Sequence, residues 1–358
     1  MAVVGIAGDF SAEEMRAALA AENIALASVV CLAASEERSA SAPLHHLAAE
    51  LGLPLRLLPA NGNSAGDILS AFIKEPVRQS GGDRLAIAVA ATPDDVTRAG
   101  HRRGRLAVIG LGPGDPDFMI PAVKQELQRA EDVLGYETYV RMAGSFRPDQ
   151  IIHMTDNREE MQRARHAFEL AASGRSVVMI SSGDPGVFAM AAAVVEALHE
   201  SDNPAWHGVD LQIVPGVSAA MAAASRSGAP LGHDFCILSL SDNLKPWDII
   251  EKRIALAAEA DFAMAFYNPI SKPRPWQLPR AIEILRQHRA PQTPIVLGRD
   301  IGRPAETLRV ITLAELAPEQ VDMRTVILVG SSLTRSFDRV DGGQWVYTPR
   351  WYGTKPAG

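Results

Sequence analysis

Residues 105–131 read RLAVIGLGPGDPDFMIPAVKQELQRAE, and the reading of the fold turns on the ten in the middle, IGLGPGDPDF at 109–118. A strand-like apolar run, "RLAVIG", enters this loop, and a helix-like run, "IPAVKQELQRA", leaves it. Three glycines between a strand and a helix suggest a dinucleotide fingerprint. The rest of the loop opposes that reading. Such a site holds a diphosphate with consecutive backbone amides at a helix start, and Pro113 and Pro116 carry no N–H. Asp115 and Asp117 would repel the phosphates. Two readings remain: a tight turn closed by an Asp N-cap, and a rigid loop that faces a ligand other than a phosphate.

Working outward, the same theme returns at 181–191, SSGDPGVFAMA, where Asp184 could accept hydrogen bonds and Val187 and Phe188 could pack on a flat ring. A strand, a Pro-Gly turn and a helix of small residues follow in IVPGVSAAMAAASRSGAP at 213–230. FYNPISKPRPWQL at 266–278 and LGRDIGRPAET at 297–307 bring Lys272, Arg274, Arg299 and Arg303, which could pair with carboxylates or serve the surface. Strands are expected at 105–111, 176–182, 210–216, 235–241, 262–268, 294–300, 307–313 and 325–331. Helices are expected at 120–131, 157–173, 186–200, 217–227, 246–258 and 276–288. Short apolar strands alternating with amphipathic helices predict α/β architecture with largely parallel sheets, whose ligands sit at strand ends.

Upstream lies a smaller α/β unit over roughly 1–92. Ser11 with Glu14 three residues on predicts a capping box, and Gly52 a helix stop. The polar stretch TPDDVTRAGHRRG reads as a linker, 93–104, between this unit and the rest.

The chain has 358 residues, is 47% hydrophobic and carries a net charge of −7, which argues against a nucleic-acid-binding face. Its N-terminus lacks the features of a signal peptide, and no apolar run reaches the roughly 18 residues of a membrane span. Cys31 and Cys236 stand alone in apolar runs, so neither a disulfide nor a metal site is expected. No HExxH or GxSxG occurs. The expectation is a reduced, cytoplasmic enzyme or binding protein without membrane or nucleic-acid partners.

In combination the motifs are more specific than any one alone. GLGPGDP, GYxTY (135–139), SSGDPGVFAMA, VPGVSA, SLSDxLxPWxxIExR (239–253), FYNPxSxxR (266–274) and LGRDxGR (297–303), in this order over roughly 104–338, resemble the tetrapyrrole methyltransferases. The resemblance implies the class III methyltransferase fold, two αβα domains at 105–214 and 215–340 with the active site between them, a tail at 341–358, and a homodimer. It implies S-adenosylmethionine as cofactor and a precorrin-type tetrapyrrole as substrate. The SLSD and FYNP elements point to methylation of precorrin-3B at carbon 17 with ring contraction to precorrin-4. Siblings acting on other ring carbons or on the cobalt-bearing intermediate, a non-catalytic tetrapyrrole binder and, more distantly, a dehydrogenase stay open beside it.

Carried onto this sequence, the cofactor contacts are Gly183, Asp184, Val187, Phe188, Ser218, Ala219, Phe266, Tyr267, Asn268, Gly298 and Arg299. The substrate-facing loop is Gly112, Pro113, Gly114 and Asp115. Asp115 is the first candidate for moving a proton, with Tyr139 and Ser241 behind it, and Arg141 joins the basic residues as an anchor. Residues 1–92 resemble the small cobalamin-biosynthesis domain of a lactone-processing protein. GIAGDFSAEE lacks the Cys and Arg usual there, and AASEERSASAP lacks an expected Lys, so a structural or interaction role is expected.

Overall fold

The computed structural model describes residues 1–59, 64–90, 99–156 and 159–352. The chain divides into two compact units. One holds Met1–Ile109, Ala122–Ser181 and Ala189–Val214; the other holds Gly110–Pro121, Ser182–Phe188 and the chain from Pro215 on.

The first unit opens with β1 (Ala2–Ile6), α1 (Ala12–Ala21), β2 (Val29–Ser35), α2 (Ala42–Leu51), β3 (Leu55–Leu58), α3 (Ala65–Ser70), β4 (Arg78–Gly81), β5 (Leu85–Val89) and β6 (His101–Arg102). They form one six-stranded sheet in the order β4-β5-β1-β2-β3-β6. The capping box stands as the sequence predicts: Ser11 Oγ accepts from the Glu14 N–H, and Glu14 accepts from the Ser11 N–H at 2.8 Å. Gly52 ends α2 at φ 65°, a left-handed turn that costs a glycine nothing. Met15 and Leu19, one turn apart on α1, are buried against Val4 and Ile6, each worth about 2 kcal/mol. Helix α3 starts inside LPANGNSAGD (58–67), a Gly-, Pro- and Ser-rich stretch. Ser64 starts it by accepting from the Asp67 N–H.

Within the expected linker, residues 93–98 lie outside the described residues, as does position 92. His101 and Arg102 pair antiparallel with β3 instead of crossing open solvent. His101 Nε2 meets Glu36 at 3.0 Å, Arg103 donates to the Gly208 carbonyl at 2.9 Å, and a Cβ on Gly208 would strike the Ser39 carbonyl. The basic side chains of this stretch thus fasten it to the elements on either side.

The first unit continues with β7 (Arg105–Gly110), α4 (Pro121–Arg129), β8 (Asp132–Tyr136), α5 (Glu137–Met142), β9 (Ile151–Thr155), α6 (Glu160–Ala172), β10 (Ser176–Ser181), α7 (Met190–His199), α8 (Pro204–His207) and β11 (Asp210–Val214). The second sheet runs β11-β7-β10-β8-β9, and the pairs β11–β7, β10–β8 and β8–β9 are parallel. Of the helix expected at 157–173, Asn157 and Arg158 lie outside the described residues.

The second unit adds α9 (Ala219–Ser227), β12 (Gly228–Ala229), β13 (Phe235–Ser239), α10 (Trp247–Glu259), β14 (Ala263–Tyr267), α11 (Gln277–His288), β15 (Pro294–Arg299), β16 (Thr307–Thr312), β17 (Thr325–Val329), β18 (Arg335–Asp338) and β19 (Gln344–Tyr347). Its main sheet runs β13-β14-β17-β15-β16 and corrects the expectation of largely parallel sheets. Only β13 and β14, joined through α10, run parallel; β14–β17, β17–β15 and β15–β16 are antiparallel. The reason lies in the connections. A parallel pair needs a crossover of a dozen or more residues, usually helical, and only seven residues, Asp300–Glu306, separate β15 from β16. No helix among the described residues is long and apolar enough to cross a membrane.

Candidate active site

Three loops of the second unit cross backbone against backbone. Gly112 and Gly183 form an isolated antiparallel bridge: the Gly112 N–H donates to the Gly183 carbonyl at 3.1 Å, and the Gly183 N–H to the Gly112 carbonyl at 2.8 Å. Gly216 closes the crossing. A Cβ there would meet the Gly183 carbonyl oxygen and lie 2.6 Å from the Gly110 oxygen. A Cβ on Gly110 would meet the same Gly183 oxygen and lie 2.7 Å from Pro185 Cδ. The glycines of GLGPGDP therefore serve close approach of main chains, and Gly112 (φ 77°) also takes a left-handed turn.

The aspartates complete these turns. Asp184 Oδ1 accepts from the Gly186 N–H at 2.8 Å and Oδ2 from the Gly216 N–H at 3.0 Å, so one carboxylate ties the second loop to the third. Asp115 Oδ1 accepts from the Asp117 N–H at 2.9 Å, the N-cap the sequence suggested. Its Oδ2 faces the Arg226 guanidinium at 3.9 Å. Arg226 closes α9, contacts Glu306 at 3.4 Å and lies over the Phe118 ring; neither Arg226 nor Glu306 stood out in the sequence. The loop after β15 joins here too. Arg303 Nε donates to the Pro113 carbonyl at 3.3 Å, and a Cβ on Gly302 would lie 2.7 Å from Pro113 Cγ.

The start of α9 is held from β14. Ser218, buried, caps α9 by accepting from the Met221 N–H. The Tyr267 hydroxyl accepts from the Ala220 N–H at 2.8 Å and bonds Ser218, and burial pushes this phenol above its ordinary value of 10. Phe188 stacks edge-on against Tyr267 at 5.7 Å while remaining 52% exposed. Phe188 (φ 53°), Asn268 (φ 51°) and Asp300 (φ 50°) are three of the five described non-glycine residues with left-handed backbone. Such strain persists only where the surroundings impose it, and it gathers at ligand sites. Asn268 donates to Ser239 Oγ at 3.0 Å, which fixes the turn leaving β14.

The other expected residues have the following surroundings. Phe266 is 1% exposed and packs into the core with Met264, Leu278 and Ile327, whereas Tyr267 packs on the opposite side of β14 with Ala223 and Val296. Alternation along a strand allows only one of the two aromatic side chains to face α9. Gly298 is a packing glycine whose Cβ would lie 2.8 Å from Ile301 and 3.0 Å from Ala223. Arg299 is committed to Asp300 and Asp322, each at 2.9 Å. Ser241 Oγ accepts from Arg274 at 2.7 Å, and Arg274 also reaches Asn243 and Ser271, binding the SLSD loop to the FYNP loop. Tyr139, on α5 of the first unit, stacks edge-on with Tyr136 at 5.2 Å, and Arg141 beside it pairs with Glu137 at 2.6 Å. Val187 and Ala219 are half-buried.

The chain is similar to known proteins. The family profile of the tetrapyrrole (corrin/porphyrin) methylases matches residues 105–317, more than half of the chain. A precorrin-3B C(17)-methyltransferase from Sinorhizobium is 50% identical over 250 residues, which cover 70% of this chain and 97% of that protein. A probable cobalt-factor III C(17)-methyltransferase from Salmonella typhimurium is 41% identical over 247 residues, 69% of this chain and 99% of that one. Among solved structures, the crystal structure of the methyltransferase CobJ superposes with a TM-score of 0.65 at 51% identity, covering 69% of this chain and all of that one. The chain belongs to the tetrapyrrole (corrin/porphyrin) methylases and is an S-adenosylmethionine-dependent methyltransferase.

Proposed function

We propose that this chain methylates precorrin-3B at carbon 17, with ring contraction to precorrin-4, in cobalamin biosynthesis. The observation that carries the reading is the three-loop crossing. It brings carboxylates, carbonyls and prolines together where a nucleotide site would offer amides, and two relatives matched over nearly their whole length carry the name C(17)-methyltransferase.

The same lining suits the cofactor. S-adenosylmethionine is cationic at sulfur, and the crossing presents Asp115, Asp184 and the open Phe188 ring with no phosphate-type cradle. Gly183, Asp184, Val187, Phe188, Ser218, Ala219, Tyr267 and Asn268 would hold it, with the backbone of Phe266. When bound, it supplies an activated methyl group, so the protein needs no covalent intermediate of its own. The protein's part is orientation and exclusion of water, worth up to roughly 7–11 kcal/mol in ideal cases. Asp184 fixes two loops at once, and Tyr267 with Ser218 fixes α9 behind them. Asp115, on the Gly112–Asp115 loop, is the group we assign to hold or accept a proton from the macrocycle. Ser241, which receives an N–H from Arg274, is left free to donate its own proton. Tyr139 is the third candidate.

We further propose a homodimer working in the cytoplasm. The exposed aromatic side chains Phe337, Trp345 and Tyr347 on the β18–β19 hairpin favour association, and the two free cysteines suit a reducing compartment. For residues 1–92 we propose a structural role. Arg38 donates to the Gly8 carbonyl and pairs with Asp9, and Arg84 covers Phe10, so the loop after β1 is covered by side chains from neighbouring loops of the same unit.

The test is incubation with methyl-labelled S-adenosylmethionine and precorrin-3B, followed by NMR. Label at carbon 17 of a contracted ring is expected. Turnover only with cobalt-factor III would move the chain to the cobalt-bearing branch, and label at another carbon would refute the assignment.

A further inference from the structure

Most of the cations that the sequence offered as substrate anchors are committed to the protein itself. Arg141 serves Glu137, Arg274 serves the SLSD and FYNP loops, Arg299 serves Asp300 and Asp322, and Arg303 serves Pro113. Lys245, in the loop before α10, differs. Among the described residues its ammonium makes no hydrogen bond and no ion pair, and it lies over the Phe188 ring, 5.6 Å from the centroid. The acid on its own loop, Asp242, faces Arg274 at 3.6 Å. Arg253, on α10, adds a second positive charge nearby. Burial and then Arg253 both lower the proton affinity of Lys245.

A half-buried ammonium balanced only by an aromatic face lacks a counter-ion. Apolar side chains near it in the chain, and the ring it covers, are open: Leu244 is 91% exposed, Ile249 37% and Phe188 52%. A flat macrocycle edged with carboxylate arms has both complements, a charge for the ammonium and an apolar rim for the exposed side chains. We infer that Lys245 is a substrate-binding residue that receives a carboxylate arm of the tetrapyrrole, with Leu244 and Phe188 against the ring edge. The inference rests on the reading of the substrate as a tetrapyrrole polycarboxylate, though not on which carbon is methylated.

The test uses the full chain, uroporphyrin I as a stable polycarboxylate probe and its neutral carboxamide as control, with binding followed by fluorescence quenching. Lys245→Met weakens binding of the acid roughly tenfold, the scale of one charge-assisted hydrogen bond, and leaves the carboxamide unchanged. Lys245→Arg keeps most of the affinity, and added salt narrows the gap between wild type and Lys245→Met. Equal binding of the acid by wild type and Lys245→Met overturns the inference. So does an equal loss of acid and carboxamide, which would mark a packing role. Methylation at a carbon other than 17 would refute the proposed reaction and leave this result standing.

Discussion

Replacing Gly216 by Ala tests whether the loop glycines exist for crossing main chains. The added methyl would sit 2.6 Å from the Gly110 oxygen and 2.8 Å from the Gly110 carbonyl carbon, and would press on the Gly183 oxygen as well. All three are backbone atoms, so no rotamer change relieves the overlap. Restoring van der Waals distance needs a shift of about 1 Å, and overpacking of this kind costs about 1–3 kcal/mol. The shift would also open the Gly112–Gly183 bridge, whose two hydrogen bonds are worth about 1 kcal/mol each. The total expected is about 3–5 kcal/mol. Gly186→Ala is the matched control, since its Cβ would meet nothing closer than an Asp184 oxygen at 3.2 Å. Hydrogen exchange at the Gly112 and Gly183 amides reads the crossing directly, and urea unfolding reads the total. Protection of both amides in Gly216→Ala at the wild-type level, with an unchanged midpoint, would refute the reasoning.

Tyr267→Phe leaves the Ala220 N–H without its acceptor and should cost about 1–3 kcal/mol in thermal or urea unfolding. Because the folded phenol titrates above its ordinary value of 10, wild-type stability should fall as pH rises past 10, and Tyr267→Phe should lack that component of the decline. Arg274→Met removes the donor shared by Ser241, Asn243 and Ser271; a loss of about 1–3 kcal/mol is expected, and Arg274→Lys should not restore it, because an ammonium cannot reproduce the planar fork. Burial pushes the Cys31 thiol up to about 11 and raises Cys236 as well, so alkylation at pH 8 should label both slowly in the native protein and rapidly in urea.

The sequence carried much of this fold because local signals agreed with tertiary ones. Ser11 and Glu14 form the box their spacing predicts, and Gly52 stops α2 in the conformation glycine favours. Where pairing is decided at a distance, the sequence was silent. β8 (DVLGY) is broken by Gly135 and β9 (IIHMT) lies half-exposed at the sheet edge, so neither shows a clear apolar pattern, and they are strands because their neighbours in the second sheet pair with them. The antiparallel half of the last sheet was hidden because strand composition does not record direction. At the site, the Gly-Asp-Pro loops were legible as special but not as partners: nothing local shows that Gly112 would bond Gly183 across 71 positions of chain. Phe266 and Tyr267 stand next to each other in FYNP, and the strand period of two sends their side chains to opposite faces. Arg226, a lone arginine in an alanine-rich helix, carries no sequence pattern, and only the fold brings Asp115, Phe118 and Glu306 to it.

The crossing of the three loops also bears on how such a site can change. Where not even a methyl group fits, there is no side chain to vary, and the crossing can only be kept whole or lost. Selectivity has to be written in what hangs from it: the Phe188 ring, the open Leu244, the ammonium of Lys245. A protein with the same crossing and different pendants would grip a differently shaped ring with an unchanged frame, so an effort to redirect this enzyme should spare its glycines and edit its fringe.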